Sequence, residues 1–568
     1  MPSIADYSGS RPGDPLGDTD NSLVGRIERA ARSGRRVTFV LGGEEEVTDW
    51  GAIHHEARGI AAALQARGIR PGDHVALLSP TTRPLVATIQ ATWLAGATLV
   101  VLPLPMRLGS IEEFVAQTRR RIHHADARLV VIDPELAAFV TPEPDDPPMV
   151  GFDELVGDPD AWVRPPVDPE RLTILQFTSG STADPKGVML PDRAVCANLD
   201  GIAEAAELDP GSDVLVSWLP LYHDMGLVGL LTLPMSTGTP LVLGAPQDFT
   251  SRPSRWMEWI SAYGGTATAG PNFSYVLATR ALKNGPQLDL STLRVALNGA
   301  EPIDADNMED FIAAAERHGL RPGAVFPAFG MAEVSIGGTF PPPGRGLVTD
   351  CVDRRVLETE RYAAPAEPSS PGSRRFARLG YAVPGLEIRI VDPETGNELK
   401  DREVGELEIR GTSVTTGYYK RPDANAELFH DGWLRTGDLA YLVDGELVVC
   451  GRIKDVIIVG GRNVFPEDVE RAVGLIDGVR AGNVIAFGAT GARGREALVV
   501  VAETRADDFA DLRHRVAERV VEVVGVPARD IVLVAPGTLP KTSSGKLQRS
   551  LCKRRYEDGQ LVLVDADV

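Results

Sequence analysis

Short apolar runs alternate with helical patterns through most of the chain, and this alternation constrains the fold more than any other feature. DHVALLSP at 73–80 and ATLVVLPLP at 97–105 each predict a strand. Between them Leu85, Ile89 and Trp93 recur at helical spacing. A strand, a helix and a strand in so short a span indicate a βαβ unit of a parallel sheet. We therefore predict an α/β fold.

The length of the chain indicates how many domains it contains. With 568 residues it exceeds what one hydrophobic core usually holds, so two or more domains are expected. A charged step at Lys454 separates two apolar strands within 446–470. We predict a disordered leader at 1–20, a large N-terminal domain of packed parallel-sheet α/β subdomains at 21–450, and a small mobile C-terminal α/β domain at 451–568.

Composition excludes several classes of protein. Acidic residues outnumber basic ones by 79 to 58, a surplus that would repel nucleic acid or an anionic membrane. No stretch reaches the roughly 18 consecutive apolar residues of a transmembrane helix. The four cysteines are scattered without a C-x-x-C pair, which favours a reducing, cytoplasmic location.

The segment LTILQFTSGSTADPKGVML at 172–190 has the chemistry of a phosphate-binding loop. An apolar strand leads directly into hydroxyl and glycine residues, whose N–H and O–H groups can surround phosphate oxygens. Lys186 adds a positive charge beside them. The spacing is not that of a Walker A loop. Taken alone, a run of this kind more often indicates only a polar turn.

Further segments follow in a fixed order. They are WLPLYHDMGLVG (218–229), NGAEP (298–302), FGMAE (329–333), TGD (436–438), GRIKDVIIVGGRNVFPEDVE (451–470) and LPKTSSGKLQR (539–549). Together with TSGSTADPKG, this series resembles the adenylate-forming superfamily of acyl-CoA synthetases, peptide-synthetase adenylation domains, luciferases and fatty acyl-AMP ligases. The resemblance implies ATP and Mg²⁺ as cofactors.

The resemblance also implies the residues that contact the nucleotide. Those at 299–301 are expected against the adenine ring with Phe329 stacking near it, where many relatives have tyrosine. Asp438 and Arg452 are expected at the ribose. The full predicted set is Thr178, Ser179, Gly180, Ser181, Thr182, Lys186, Gly299, Ala300, Glu301, Phe329, Gly330, Met331, Asp438, Arg452 and Lys546.

Three residues are implied to be catalytic: Lys546, Thr182 and Glu333. Lys546 is expected at the carboxylate and the α-phosphate, and Glu333 with Thr182 is expected to hold Mg²⁺. Attack of a carboxylate on phosphorus joins two anions, and cations fixed in advance lower such a barrier. A non-catalytic adenylate-binding protein is a less favoured alternative, since Lys546, Glu333 and Asp438 are all present.

The resemblance places the acyl substrate near His223, Asp224, Gly229 and Phe273, with His223 as a wall between the two pockets, and makes Lys454 a hinge. A hydrolase would pair His223 with a serine, but the G-x-S-x-G elbow is absent. The histidine doublets at 54–55 and 123–124 lack the H-E-x-x-H pattern, so a zinc site is not expected.

An insertion at about 352–378 resembles that of fatty acyl-AMP ligases, as do 102–122 and 270–280, whereas FARLG at 376–380 departs from the VSCG common there. This branch implies activation of a medium- or long-chain fatty acid to acyl-AMP, with release of pyrophosphate. The acyl group would then pass to the phosphopantetheine of a separate acyl carrier protein or polyketide synthase. The alternatives are a fatty acyl-CoA ligase that uses free CoA and a functionally neutral loop insertion.

Overall fold

The computed structural model describes residues 20–104, 111–178, 186–370, 372–459, 462–490, 496–542 and 546–564. The predicted leader at 1–20 lies, apart from Asp20, outside these residues. Within them, the helices are α1 Leu23–Ala31, α2 Trp50–Ala66, α3 Arg83–Leu94, α4 Ile111–His124, α5 Pro134–Ala137, α6 Asp192–Ala205, α7 Leu233–Thr237, α8 Pro246–Ser251, α9 Ser254–Tyr263, α10 Asn272–Asn284, α11 Ala305–Glu316, α12 Arg354–Glu360, α13 Pro422–Leu428, α14 Pro466–Gly474, α15 Phe509–Val524 and α16 Arg549–Glu557.

The strands of the same residues are β1 Arg36–Leu41, β2 Glu44–Asp49, β3 His74–Leu78, β4 Thr98–Val101, β5 Ala127–Ile132, β6 Met149–Val150, β7 Leu172–Phe177, β8 Gly187–Pro191, β9 Leu215–Ser217, β10 Leu241–Gly244, β11 Ala267–Gly270, β12 Val295–Asn298, β13 Val325–Pro327, β14 Phe329–Gly330, β15 Gly337–Phe340, β16 Thr349–Asp353, β17 Ser373–Ala377, β18 Tyr381–Ala382, β19 Leu386–Val391, β20 Gly405–Gly411, β21 Phe429–His430, β22 Trp433–Val443, β23 Glu446–Arg452, β24 Ile457–Val459, β25 Arg462–Val464, β26 Val479–Thr490, β27 Glu496–Thr504 and β28 Asp530–Val534.

A six-stranded sheet, ordered β6-β5-β3-β4-β7-β8, contains the βαβ unit predicted from the sequence. Strands β3 and β4 are parallel, with His74 opposite Thr98. Helix α3 connects them, and the Thr82 side chain caps it by accepting a hydrogen bond of 3.3 Å from the Leu85 N–H. The predicted apolar face of this helix is buried. The α/β prediction is therefore confirmed.

A seven-stranded sheet, ordered β13-β12-β11-β9-β10-β1-β2, is parallel except for its edge strand β2, which is antiparallel to β1. The buried side chains of both sheets and of the helices that cover them form one continuous core. In parallel sheets the carboxyl ends of the strands meet at one edge, where ligands commonly bind. The loops after β9, β11, β12 and β13 all leave from that edge.

A mainly antiparallel sheet of β19, β20, β22, β21 and β23 follows in the chain, and the sequence did not predict it. Its longest strand, β22, pairs with β20 on one side and with β23 on the other. The strand β23 ends at Arg452, close to the predicted domain boundary.

The elements after β23 build a smaller core of their own. Strands β26, β27 and β28 form a three-stranded sheet, and α15 buries Leu512, Val516 and Val520 against it, as its apolar spacing predicted. No helix in the described part of the chain has the length and apolar character needed to cross a bilayer.

The predicted insertion at 352–378 is built from β16, α12 and β17, with β16 and β17 antiparallel. Its Pro- and Ser-rich middle is a loop, as composition predicted. The flanking elements bury Val352, Leu357 and Phe376 in a cluster with Tyr441 of β22 and Phe465 just before α14. The insertion therefore packs against both the antiparallel sheet and the C-terminal elements.

We predict that Leu357→Ala lowers the free energy of unfolding of the region around the insertion by about 2–5 kcal/mol, because it empties space in this cluster. Leu357 is 1% exposed, whereas Leu475 is 77% exposed. Leu475→Ala is the matched control and is expected to change stability by less than about 0.5 kcal/mol. Urea unfolding followed by tryptophan fluorescence and limited proteolysis measures both; equal destabilisation by the two variants would contradict the packing.

Candidate active site

A cleft of about 2950 Å³ opens between the large core and the C-terminal elements. Every predicted site residue that the structure describes lines it. They are Thr178, Lys186, His223, Asp224, Gly229, Phe273, Gly299, Ala300, Glu301, Phe329, Gly330, Met331, Glu333, Asp438, Arg452, Lys454 and Lys546. The predicted residues Ser179, Gly180, Ser181 and Thr182 lie outside the described residues.

The segment 299–301 follows directly from the carboxyl end of β12. Ala300 has a φ of 69°, in the left-handed region that non-glycine residues seldom adopt, so the chain turns sharply here. The turn points Glu301 at the start of α10, where its Oε1 accepts a 2.6 Å hydrogen bond from the Phe273 N–H. Burial raises the pKa of Glu301 above its ordinary value. This contact ties together the loops that follow two neighbouring strands.

The segment 329–331 forms a tight bend after β13. A Cβ at Gly330 would lie 2.0 Å from the Ile336 carbonyl oxygen, so only glycine fits. The Met331 N–H donates to the same carbonyl at 3.0 Å. The bend exposes Phe329 to the cleft and brings Glu333, two residues beyond Met331, to its floor.

Glu333 is a buried carboxylate, with 8% of its surface exposed. The Tyr418 hydroxyl donates to its Oε1 at 2.7 Å, and the Lys186 ammonium lies 4.5 Å from the centre of the Tyr418 ring. Burial raises the pKa of Glu333, while the Tyr418 hydrogen bond and the nearby Arg452 oppose that rise. Tyr418 thus links two residues that the sequence assigned to the site.

Tyr418 was not among the site residues predicted from the sequence. It lies in the run TGYYKRP, where an aromatic pair after glycine more often indicates packing than chemistry. The backbone fixes its position, because the Met189 N–H donates to the Gly417 carbonyl at 2.9 Å and the Tyr419 N–H donates to the Gly187 carbonyl at 2.8 Å. The strand that follows the phosphate-loop segment therefore holds Tyr418 against Glu333.

Asp438 and Arg452 face each other on neighbouring antiparallel strands, β22 and β23. The Arg452 Nε donates to Asp438 Oδ1 at 3.0 Å. Burial raises the pKa of Asp438, and the charge of Arg452 works against that rise. The Asp438 side chain is 7% exposed and that of Arg452 52% exposed, so the guanidinium remains open to the cleft.

Lys546 lines the cleft from the C-terminal part of the chain. The Lys546 N–H donates to Thr542 Oγ1 at 3.0 Å, and the Thr542 N–H donates to the Lys546 carbonyl at 2.8 Å. Burial lowers the pKa of the Lys546 ammonium, while the carboxylates of Asp224 and Glu301 act in the opposite direction. The structure therefore brings together a lysine and two carboxylates that are far apart in the sequence.

His223 and Asp224 follow the loop after β9. The His223 Nδ1 lies 2.5 Å from Asp224 Oδ1, and Oδ1 also accepts from the Met225 N–H at 2.8 Å. Burial disfavours ionisation of Asp224, but His223 and Lys546 outweigh it and hold its pKa below the usual range. Asp224 is thus an anion that Lys546 faces.

Of the other predicted acyl-binding residues, Gly229 lies on a π-helix at Met225–Thr232 and Phe273 lies on α10. A Cβ at Gly229 would have no neighbour within 4 Å, so this glycine leaves open space. Phe273 lies at the edge of an aromatic group that includes the stacked pair Trp218 and Phe249. The apolar residues that also line the cleft here are Ile202, Leu230, Leu233, Val276, Leu277 and Phe340.

Lys454 lies in an exposed 3₁₀ turn at Ile453–Asp455, immediately after β23. In the next residue, the Asp455 carboxylate accepts from Arg549 at 2.7 Å, so this turn is also tied to α16. The turn lies between the antiparallel sheet and the C-terminal core, and the hinge predicted at Lys454 falls in it.

The described residues contain no group of three or more histidine, cysteine, aspartate or glutamate side chains able to hold a metal ion alone. Mg²⁺ is commonly bound through one or two carboxylates together with substrate phosphates. Glu333, a buried carboxylate that lines the cleft, fits that mode of binding. Thr182, the second predicted ligand, lies outside the described residues.

Residues 27–419 match the AMP-binding enzyme family. The chain belongs to this family. It is 41% identical over 511 residues to "Putative ligase Rv1013" of Mycobacterium tuberculosis, covering 88% of this chain and 93% of that protein.

The chain is also similar to two proteins whose names state an activity. The chain is 31% identical to JamA of Moorena producens, named a medium-chain-fatty-acid–[acyl-carrier-protein] ligase, covering 92% of each protein. A structure from a study of fatty acyl-adenylate ligases of E. coli and L. pneumophila superposes with a TM-score of 0.88 at 32% identity, covering 96% of this chain and 99% of that one. The fold and the adenylate-forming superfamily predicted from the motifs are confirmed.

We predict that Tyr418→Phe weakens Mg²⁺-dependent ATP binding roughly tenfold, because Glu333 loses a hydrogen bond to a charged group worth about 1.5–3 kcal/mol while the ring beneath Lys186 remains. Tyr419→Phe is the control, since its hydroxyl donates instead to the exposed Asp126 at 2.8 Å. Calorimetric titration with Mg·ATP measures both. If the two variants bind equally, Tyr418 does not position the site.

Proposed function

We propose that this member of the family activates a medium- or long-chain fatty acid with ATP as an acyl-adenylate, with release of pyrophosphate. It then passes the acyl group to the phosphopantetheine thiol of a separate acyl carrier protein or polyketide synthase, with AMP as the leaving group. The observation that supports this most directly is one cleft that is lined by Lys546, Asp224 and Glu301 and also by apolar side chains near the predicted acyl-binding residues. The names of JamA and of the fatty acyl-adenylate ligases agree with it.

The proposed first step forms a bond between a carboxylate oxygen and the α-phosphorus, while the bond from that phosphorus to the pyrophosphate oxygen breaks. A fatty acid is already ionised at neutral pH, so a general base is not required. Negative charge accumulates on the phosphate oxygens, and a cation fixed nearby stabilises it. Lys546 supplies this cation, since hydrogen bonds with Thr542 hold its backbone and the nearby carboxylates of Asp224 and Glu301 favour the charged form of its ammonium.

The adenine and the ribose of ATP are proposed to bind in the same cleft. The adenine lies against 299–301 and Phe329, and the ribose hydroxyls donate to Asp438 beside Arg452. Two acceptor oxygens suit the pair of ribose hydroxyls. Glu333, with Thr182, holds Mg²⁺, which when bound neutralises part of the phosphate charge.

The choice of acceptor is proposed to depend on the insertion at 352–378. Within the insertion, Glu358 is fully buried and forms an ion pair with Arg462 of β25. Arg374 lies between the rings of Phe376 and Phe465, with its guanidinium carbon 4.2 Å and 4.7 Å from their centres. The same guanidinium pairs with Asp468 of α14 at 2.9 Å. These contacts hold the C-terminal elements in the arrangement in which Lys546 reaches the cleft.

Thiol transfer is expected to need a turn of the C-terminal domain about Lys454, as in relatives of this kind. Contacts that favour one arrangement disfavour the other, and about 1.4 kcal/mol changes a population tenfold. A carrier protein can offset that bias through its own surface contacts, whereas free CoA offers few. A fatty acyl-CoA ligase is the alternative, in which the insertion has no such effect.

We predict that Lys546→Ala folds normally and forms acyl-AMP about 10²–10³ times more slowly, the usual loss for one stabilising group. Lys283→Ala, which removes an exposed charge at the end of α10, is the control. The measurement is release of pyrophosphate and acyl-AMP, identified by mass, with a panel of fatty acids. Near-normal acyl-AMP formation by folded Lys546→Ala would rule out this role.

We predict that Glu358→Gln leaves acyl-AMP formation unchanged and raises the yield of acyl-CoA up to tenfold, because the neutral amide keeps the shape of the side chain but removes the ion pair with Arg462, whose side chain is 28% exposed. Glu360→Gln is the matched control on the same helix, since Glu360 is exposed. Both yields are measured with ATP, fatty acid and CoA present. If the wild-type protein already converts acyl-AMP to acyl-CoA efficiently, the carrier-protein proposal is wrong.

A further inference from the structure

One face of α4 points into the cleft and has no part in the function proposed so far. Gln117, Arg120, Arg121 and His124 all line the cleft. Their spacing of three and four residues places them on one side of the helix. Glu113 and Phe114 of the first turn also line the cleft, and beyond them the face is polar and cationic.

The contacts of His124 show which part of the cleft this face of α4 borders. Its ring centre is 5.9 Å from that of Phe177, the last residue of β7 and the residue before Thr178. Its Nε2 lies 3.2 Å from the Tyr419 carbonyl oxygen, next to the tyrosine that binds Glu333. Arg120 and Arg121 lie one helical turn away, roughly 5 Å along the axis. The face therefore borders the phosphate side of the cleft.

The arginines of this helix differ in their partners. Arg119, which points elsewhere, pairs with Asp146 at 3.1 Å and also with Glu143. Within the described residues, neither Arg120 nor Arg121 has an ion pair, and the buried Nε of Arg121 has no hydrogen-bond acceptor. A buried donor without an acceptor costs about 1–3 kcal/mol. An anion that enters the cleft would remove this cost.

The other charged groups nearby do not satisfy these arginines. Glu113, on the same helix, accepts from the Gln117 amide at 3.0 Å. Lys420 pairs with Asp126 at 2.5 Å, and Arg421 pairs with Asp423 at 2.8 Å. Lys186 adds a further positive charge to the same wall. This part of the cleft is therefore suited to an anion, although the whole chain carries a net charge of −21.

We propose that Arg120 and Arg121, flanked by Gln117 and His124, form a binding site for a phosphate group at the border of the cleft. Arginine presents paired N–H donors that match phosphate oxygens. The inference deepens the proposed function, and rests on it for the source of the phosphate. That source is either the pyrophosphate that leaves during adenylation or the phosphate of the phosphopantetheine arm that arrives afterwards.

The test uses the full-length double variant Arg120→Gln/Arg121→Gln. The control is Arg128→Gln, which removes one charge from an exposed position near the same helix that does not line the cleft. Thermal unfolding checks that both variants are folded. Calorimetric titration with inorganic pyrophosphate then measures binding without requiring turnover. Steady-state acyl transfer to phosphopantetheine and to pantetheine, which lacks the phosphate, measures the second source.

A tenfold or greater loss of pyrophosphate affinity in the double variant alone assigns the site to the leaving group. Unchanged pyrophosphate affinity, with the KM for phosphopantetheine raised to that for pantetheine, assigns it to the thiol arm. The proposal is overturned if neither quantity changes, or if Arg128→Gln shows the same losses. A wild-type protein that binds pyrophosphate through these arginines but forms no acyl-AMP would reject the proposed function and keep the site.

Discussion

The concentration of carboxylates around one cleft is the constraint on which the rest of the site depends. Asp224, Glu301, Glu333 and Asp438 all face it, and burial disfavours the charged form of each. Groups of like charge in a low-dielectric site repel strongly unless cations or hydrogen-bond donors offset them. A nucleotide brings further negative charge, so the cleft needs positive charge that is placed before the substrate arrives.

That positive charge comes from two parts of the chain. Arg452 ends the antiparallel sheet, whereas Lys546 reaches Asp224 and Glu301 from the C-terminal core. The balance of charge in the cleft therefore depends on where the C-terminal elements lie. The insertion packs against both these elements and the antiparallel sheet through Leu357 and Phe376, so packing far from the substrate affects the electrostatics of the site.

Local pattern was sufficient to predict the βαβ unit and the buried face of α15, because strand and helix periodicity are properties of adjacent residues. The site residues came from the order of the motifs, and those that are described lie in one cleft. The antiparallel sheet, Tyr418 and the Arg374 ion pair were not predicted. Tyr418 and Glu333 are 85 positions apart, and such a contact leaves no trace in local spacing.

The insertion shows why composition alone gave an incomplete account of its role. Its Pro- and Ser-rich middle is the loop that composition indicates, yet Glu358 and Arg374 on its flanks are buried charges paired with the C-terminal elements. Separating a buried ion pair exposes two charges to a new environment, and breaking one by removing a partner is strongly destabilising. Any rotation of the C-terminal elements must therefore replace these contacts with water or with an incoming partner. An acceptor with a protein surface can provide such contacts, and a small thiol cannot.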